Sequence, residues 1–136
     1  MSKSSPHPSS KILLTDEPTL IQSKFRTALT DSLPGLTYDP VNRPGVSALL
    51  DIYAGYSGQA VHDVAATFDG RKEAMREFKE SLADVVAESL RGFRAEFERL
   101  RGEPGYVDAM EKDGARRAAE TAAQTMAQVK VAVGTQ

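Results

Sequence analysis

The chain has 136 residues, 40% of them hydrophobic and 26% charged, with a net charge of −2. That is ordinary for a globular domain able to bury roughly two-thirds of its unfolded surface, and nothing in the overall charge demands a nucleic-acid partner, although a local basic face suffices to hold phosphates. There is no cysteine, which excludes disulfides, thiolate zinc sites and a cysteine nucleophile, and the two histidines, His7 and His62, are too few and too distant for a metal cluster.

Met1 to Lys11 holds five serines and two prolines and reads as a loop. No apolar run there resembles a signal peptide, and none in the chain approaches the ~20 residues that span a bilayer. Met1-Ser2-Lys3-Ser4-Ser5 offers a cation, three hydroxyls and free backbone N–H groups. Such a set suits a phosphate, and it equally describes a solvated tail.

Helical signals follow in order. Thr15-Asp16-Glu17-Pro18 predicts a helix start, with Asp16 as the cap and Leu20, Ile21, Phe25, Ala28 and Leu29 on one face, ending near Thr30. Asp31 to Asn42 reads as a loop in which Tyr38 and Asp39 fix a turn. Pro44 opens a second helix that stops at Tyr56-Ser57-Gly58, and a short third ends at Phe68-Asp69-Gly70. From about Arg71 to about Arg101 a stripe of Met75, Phe78, Leu82, Val85, Leu90, Phe93, Phe97 and Leu100 predicts one long helix. At ~1.5 Å per residue it would be roughly 45 Å long. After Gly102-Glu103-Pro104-Gly105 comes a fifth helix, with an irregularity near Gly114 and an Ala-rich packing side carrying Val107, Met110, Met126, Val129 and Val133. No strand alternation is present. The reading is an all-α fold of about five helices without a sheet.

Several blocks then fall in one collinear order. Met1-Ser2-Lys3-Ser4 matches the last four letters of the Lys-Met-Ser-Lys-Ser signature of class I aminoacyl-tRNA synthetases. Ser5-Pro6-His7-Pro8 and Ile12-Leu13-Leu14-Thr15-Asp16 follow it. Next come Ala28-Leu29-Thr30-Asp31-Ser32, Tyr38-Asp39-Pro40, Pro44-Gly45-Val46-Ser47 and Leu49-Leu50-Asp51-Ile52-Tyr53. Phe78-Lys79, Leu82-Ala83-Asp84-Val85-Val86 and Gly114-Ala115 complete the series. In this order and spacing the chain resembles the tryptophanyl-tRNA synthetases of bacterial and mitochondrial type, over essentially its whole length.

The resemblance implies a C-terminal part that begins within the signature. Residues 1–15 would be the ATP-signature loop and connector, and 16–136 a helical tRNA-binding domain. Lys3 would be the catalytic lysine, with Met1, Ser2 and Ser4 beside the ATP. ATP (with Mg2+), tryptophan and tRNA(Trp) would be the ligands of the complete enzyme, a homodimer, with no protein metal ligands and no membrane. The mitochondrial matrix is the expected compartment, with the cytoplasm as the alternative. Three departures are visible: the first signature lysine is absent, Ser5 stands where aspartate is common, and the upstream nucleotide-binding half is missing, so this chain alone is expected to be inactive.

Arg91, Arg94, Arg116 and Arg117 are the candidate tRNA contacts, with Arg99 and Arg101 on the same stretch as Arg91 and Arg94. Two readings stay open for them: phosphate contacts, or a solvated helix face paired with Glu88, Glu96 and Glu98. A non-catalytic module binding tRNA or protein, and an unrelated five-helix interaction domain, are the competing accounts of the whole.

Overall fold

A computed structural model describes residues 7–135. Among these there are six α-helices and no strand, after a short 3-10 turn at Pro8–Ser10. They are α1 Pro18–Thr27, α2 Pro44–Ser57, α3 Val61–Phe68, α4 Ala74–Ser89, α5 Arg91–Arg101 and α6 Pro104–Val133. The chain divides into two compact units, one reaching Ala95 and one starting at Glu96, a boundary that falls inside α5.

The first unit is organised around α4, which packs on α1, α2 and α3. Phe78, Leu82 and Val86 recur along its buried face, at the helical three-to-four spacing that lays one stripe against the neighbours. The Phe78 ring stacks on Tyr53 with centroids 5.9 Å apart and meets Phe68 edge-on at 5.5 Å. Ile21 and Phe25 of α1, Val46 and Leu50 of α2 and Val64 of α3 close the core. The Tyr53 hydroxyl leaves this apolar centre to pair with Ser81 Oγ at 3.1 Å.

Local signals set most boundaries. Pro44 occupies the first turn of α2, where its missing N–H is harmless, and Gly58 ends the helix at φ +72°, its N–H bonded to Ala54 O. Gly45 is needed for a different reason. A Cβ there would lie 2.7 Å from the Leu29 carbonyl oxygen, and backbone yields little. Gly45→Ala is therefore expected to cost about 1–3 kcal/mol of stability, read from the denaturation midpoint.

Several expectations need correction. Asp16 does not cap α1. Glu17 holds the cap position without a side-chain bond, while the Asp16 carboxylate accepts the Leu13 N–H and pairs with buried Lys24. The helix ends at Thr27 instead of Thr30, because Ala28 is already extended. Its carbonyl is taken by the Lys79 ammonium, and Leu29 beyond it is 92% exposed.

The run from Arg71 to Arg101 is two helices, not one, with Leu90 between them. The stripe takes a five-residue step from Val85 to Leu90, which rotates the apolar face away from its line. Ser89 Oγ also donates back to the Val85 carbonyl, a contact that bends helices, and Gly92 follows with little helix preference of its own.

In the second unit α6 runs without interruption through Gly114. Its expected packing side is open: Val107, Met110, Met126 and Val129 are between 44% and 53% exposed, and no residue of α6 is buried. High alanine content and pairs at i,i+3 and i,i+4 hold such a helix, since it has little tertiary burial to draw on. Arg99 ties the turn before α6, reaching Glu96 and Glu103 while its guanidinium lies 5.7 Å over the Tyr106 ring.

Candidate nucleic-acid interface

Met1, Ser2, Lys3 and Ser4 lie outside the described residues. The connector behind them is held at Asp16. Its carboxylate fastens the Leu13 backbone to Lys24 of α1, so the segment before the first helix is tied to it.

A second anchor fixes the loop between α1 and α2. Arg43 is 5% exposed. Its Nε lies 3.0 Å from Asp31 Oδ2, and its Nη2 lies 2.8 Å from Asp31 Oδ1, 3.1 Å from the Leu33 carbonyl and 3.2 Å from that of Gly35. The planar guanidinium meets all these acceptors at once, which a lysine cannot do. Asp39 then closes the next turn, accepting the N–H groups of Val41 and Asn42 and the Asn42 side-chain amide at 2.7 Å. Tyr38 stands beside it, edge-on to His62, with its hydroxyl raised in pKa by the Asp51 carboxylate.

These bonds have a pH consequence. The Arg43 guanidinium holds the Asp31 carboxyl below its ordinary value, and the Asn42 side-chain and backbone amides do the same for Asp39. A carboxyl whose folded pKa lies below its unfolded value of ~3.9 adds stability that is complete above that value. The contribution is lost as pH falls through the lower folded pKa. We expect the melting temperature to fall as pH drops below about 4, and the fall to be shallower in Asp31→Asn/Asp39→Asn, followed by circular dichroism.

The four candidate arginines are distributed over both units. Arg91 is 73% exposed and forks onto Glu88 at 2.9 Å. Arg94 turns back, its Nη2 donating to the Ala87 carbonyl at 2.9 Å while Nη1 is buried without a partner among the described residues. Arg116 lies 2.7 Å from both Asp113 and Glu120, which raise its pKa, and Arg117 Nε lies 2.9 Å from Asp113. Exposed pairs of this kind are worth ~0–1 kcal/mol, so Arg91, Arg116 and Arg117 can exchange a carboxylate for a phosphate at little cost.

The structure also brings together cations that the sequence did not single out. α1 and α4 run antiparallel, a register fixed by Gln22 Nε2 to Asp84 Oδ1 at one end and Lys79 Nζ to the Ala28 carbonyl at the other. Between them lies an open cleft of about 900 Å³ lined by Gln22, Arg26, Arg76, Lys79, Glu80 and Asp84 among others. Lys79 donates to two neutral acceptors, Ala28 O at 2.8 Å and Thr30 Oγ1 at 3.1 Å, and burial pushes its pKa down. Arg26 and Lys79 stand 53 positions apart, so no local pattern could have paired them. Among the described residues no group of three His, Asp or Glu is placed to hold a metal ion, and no helix is long and apolar enough to cross a membrane.

A profile of the family described as "tRNA synthetases class I (W and Y)" matches residues 1–91. The mitochondrial tryptophan–tRNA ligase of Saccharomyces cerevisiae is 42% identical over 98% of this chain and 35% of its own length. The tryptophan–tRNA ligase of Bacillus anthracis is 37% identical over 98% of this chain and 40% of its own. A crystal structure of tryptophanyl-tRNA synthetase from Mycoplasma pneumoniae aligns with a TM-score of 0.48 and 23% identity, covering 76% of this chain and 31% of that one. The chain thus spans well under half the length of the relatives it matches.

Proposed function

Since the chain belongs to the class I tRNA synthetases of the tryptophan and tyrosine type, we propose that it serves as part of a tryptophan–tRNA ligase. The observation that carries this reading is a match to two tryptophan–tRNA ligases over 98% of the chain. In the complete reaction the tryptophan carboxylate attacks the α-phosphate of ATP and pyrophosphate leaves; the ribose hydroxyl of tRNA(Trp) then takes the aminoacyl group from the resulting adenylate, and AMP leaves. Negative charge grows on the departing phosphates. Lys3 is the residue to stabilise it, acting more strongly on that state than on bound ATP, with Met1, Ser2 and Ser4 next to the nucleotide. Mg2+ accompanies the ATP phosphates, and no protein carboxylate is assigned to it.

The helical part after residue 15 takes the tRNA, with Arg91, Arg116 and Arg117 as phosphate contacts, whereas the fourth candidate, Arg94, is turned back onto the Ala87 carbonyl. The complete enzyme is a homodimer in this reading. Its compartment is the mitochondrial matrix, supported by the mitochondrial relative, with the cytoplasm as the alternative because the bacterial relatives have no such compartment. The second reading is a tRNA- or protein-binding helical module without catalysis.

Two assays test these readings. The isolated chain is expected to show no tryptophan-dependent ATP–pyrophosphate exchange; exchange well above background overturns that. It is expected to bind tRNA(Trp) with an affinity that falls as salt rises. Absent or salt-insensitive binding removes the tRNA role.

A further inference from the structure

We propose that the cleft between α1 and α4 is a binding site for an RNA backbone phosphate, gripped by Arg26 and Lys79. This rests on the tRNA-binding reading and says where one contact is made.

The first support is the pairing of the arginines. The sequence has ten. Nine reach a carboxylate or a backbone carbonyl: Arg43 on Asp31, Arg71 on Glu77, Arg94 on Ala87, Arg101 on Glu98, and the rest on acids one helical turn away. Arg26 is the exception: among the described residues it has no hydrogen bond, ion pair or ring contact. It sits on the last turn of α1, on the wall of the cleft. A fold that pairs nearly every guanidinium leaves this one free among the described residues.

The second support is Lys79. Its ammonium has three N–H donors and spends two, on Ala28 O and Thr30 Oγ1. Neither acceptor carries a charge, and no carboxylate lies within ion-pair distance among the described residues. A partly buried cation without a counter-ion is unfavourable. An anion in the cleft corrects that by taking the third donor.

The acids in the cleft do not cancel this. Glu80 is bound by Arg76 at 3.0 Å, and Asp84 accepts the Gln22 amide at the far end. The antiparallel register puts Arg26 and Lys79 together by the C-terminal end of α1 and Asp84 at the opposite end. One end of the cleft is therefore cationic. A phosphodiester offers two oxygens to the planar Arg26 fork and one to the Lys79 point charge. The cleft is open and about 900 Å³, large enough for a nucleotide within a chain, which favours a polymer over a free ion.

The test is a titration of tRNA(Trp) on the full 136-residue chain at 50 and 200 mM salt, comparing the unaltered protein with Arg26→Gln, Arg26→Glu and Arg71→Glu. Arg71 is exposed and paired with Glu77, so Arg71→Glu makes the same change in net charge away from the cleft. Arg26 bonds to no other described residue, so its loss should leave folding intact. Arg26→Gln is expected to weaken binding about fivefold and to lower the slope of log affinity against log salt by about 1. Arg26→Glu should weaken it further, and Arg71→Glu much less. If the unaltered chain binds and Arg26→Glu behaves like Arg71→Glu, the cleft is overturned while the tRNA reading stands. If the unaltered chain shows no salt-dependent binding, both fall.

Discussion

Phe78→Ala is expected to lower the free energy of unfolding by about 3–5 kcal/mol, the range for truncating a buried phenylalanine. Phe78 is fully buried, and its ring touches both Tyr53 and Phe68. Those partners come from α2 and α3, and α4 also packs on α1, so three helices meet at this side chain. They cannot all move inward together, because Tyr53 is tied to Ser81 and Lys79 holds the end of α1 through Ala28. The cavity therefore stays largely open, and the cost lies toward the upper part of the range. A small domain has only ~5–15 kcal/mol in total, so one substitution removes a large share. Urea denaturation reads it as a lower midpoint at unchanged slope. Val131→Ala on α6, where the side chain is 76% exposed, should change stability by less than about 0.5 kcal/mol. Equal losses in the two variants would mean that α4 is not the centre of the fold.

What was legible in the sequence follows the range of the interactions. The ends of α2 were readable because Pro44 and Gly58 impose local backbone geometry that no distant contact has to supply. The buried stripe of α4 was readable because periodicity is itself the packing pattern. The break at Leu90 was written in the same stripe, as the step of five residues after Val85, but amphipathic spacing on both sides of it masks the change of direction. α6 shows the opposite case. Its apolar positions predict a packing side, and sequence periodicity carries no information about whether this chain supplies the partner.

The site divides along the same line. Met1 to Ser4 rest on their letters and neighbours alone, since they lie outside the described residues. The carboxylates beside Arg91 and Arg116 are three and four positions away, and helical spacing anticipates them. The cleft of Arg26 and Lys79 was invisible, because only the antiparallel packing of α1 on α4 brings the two together. Asp16 failed for a related reason. Its letters suit a helix cap, but a buried ion pair with Lys24 offers the carboxylate more than an orphan N–H does, and tertiary structure overrode the local preference.

That ion pair carries the second large expected effect. Lys24→Met should destabilise the chain by about 3–5 kcal/mol, because it leaves a buried charge without its partner. Lys24 and Asp16 are only 8% and 6% exposed, so water cannot replace the lost ammonium. Asp16→Asn/Lys24→Met should recover most of the loss. The amide has no charge to strand, and methionine fills the space of the lysine stem. The coupling between the two sites, taken from the double-mutant cycle, should therefore exceed about 1 kcal/mol. Additive losses would show that the two side chains act independently. The pair also has a positional consequence. Asp16 accepts the Leu13 N–H as well as the lysine, so one carboxylate joins the connector to α1. Amide exchange at Leu13 should accelerate in Lys24→Met well before global unfolding, since the carboxylate that holds it has lost its fixed position. The segment thus held is the one that leads back to Lys3. A change eight residues into the helical part is thereby expected to loosen the segment before α1 without touching any of its residues.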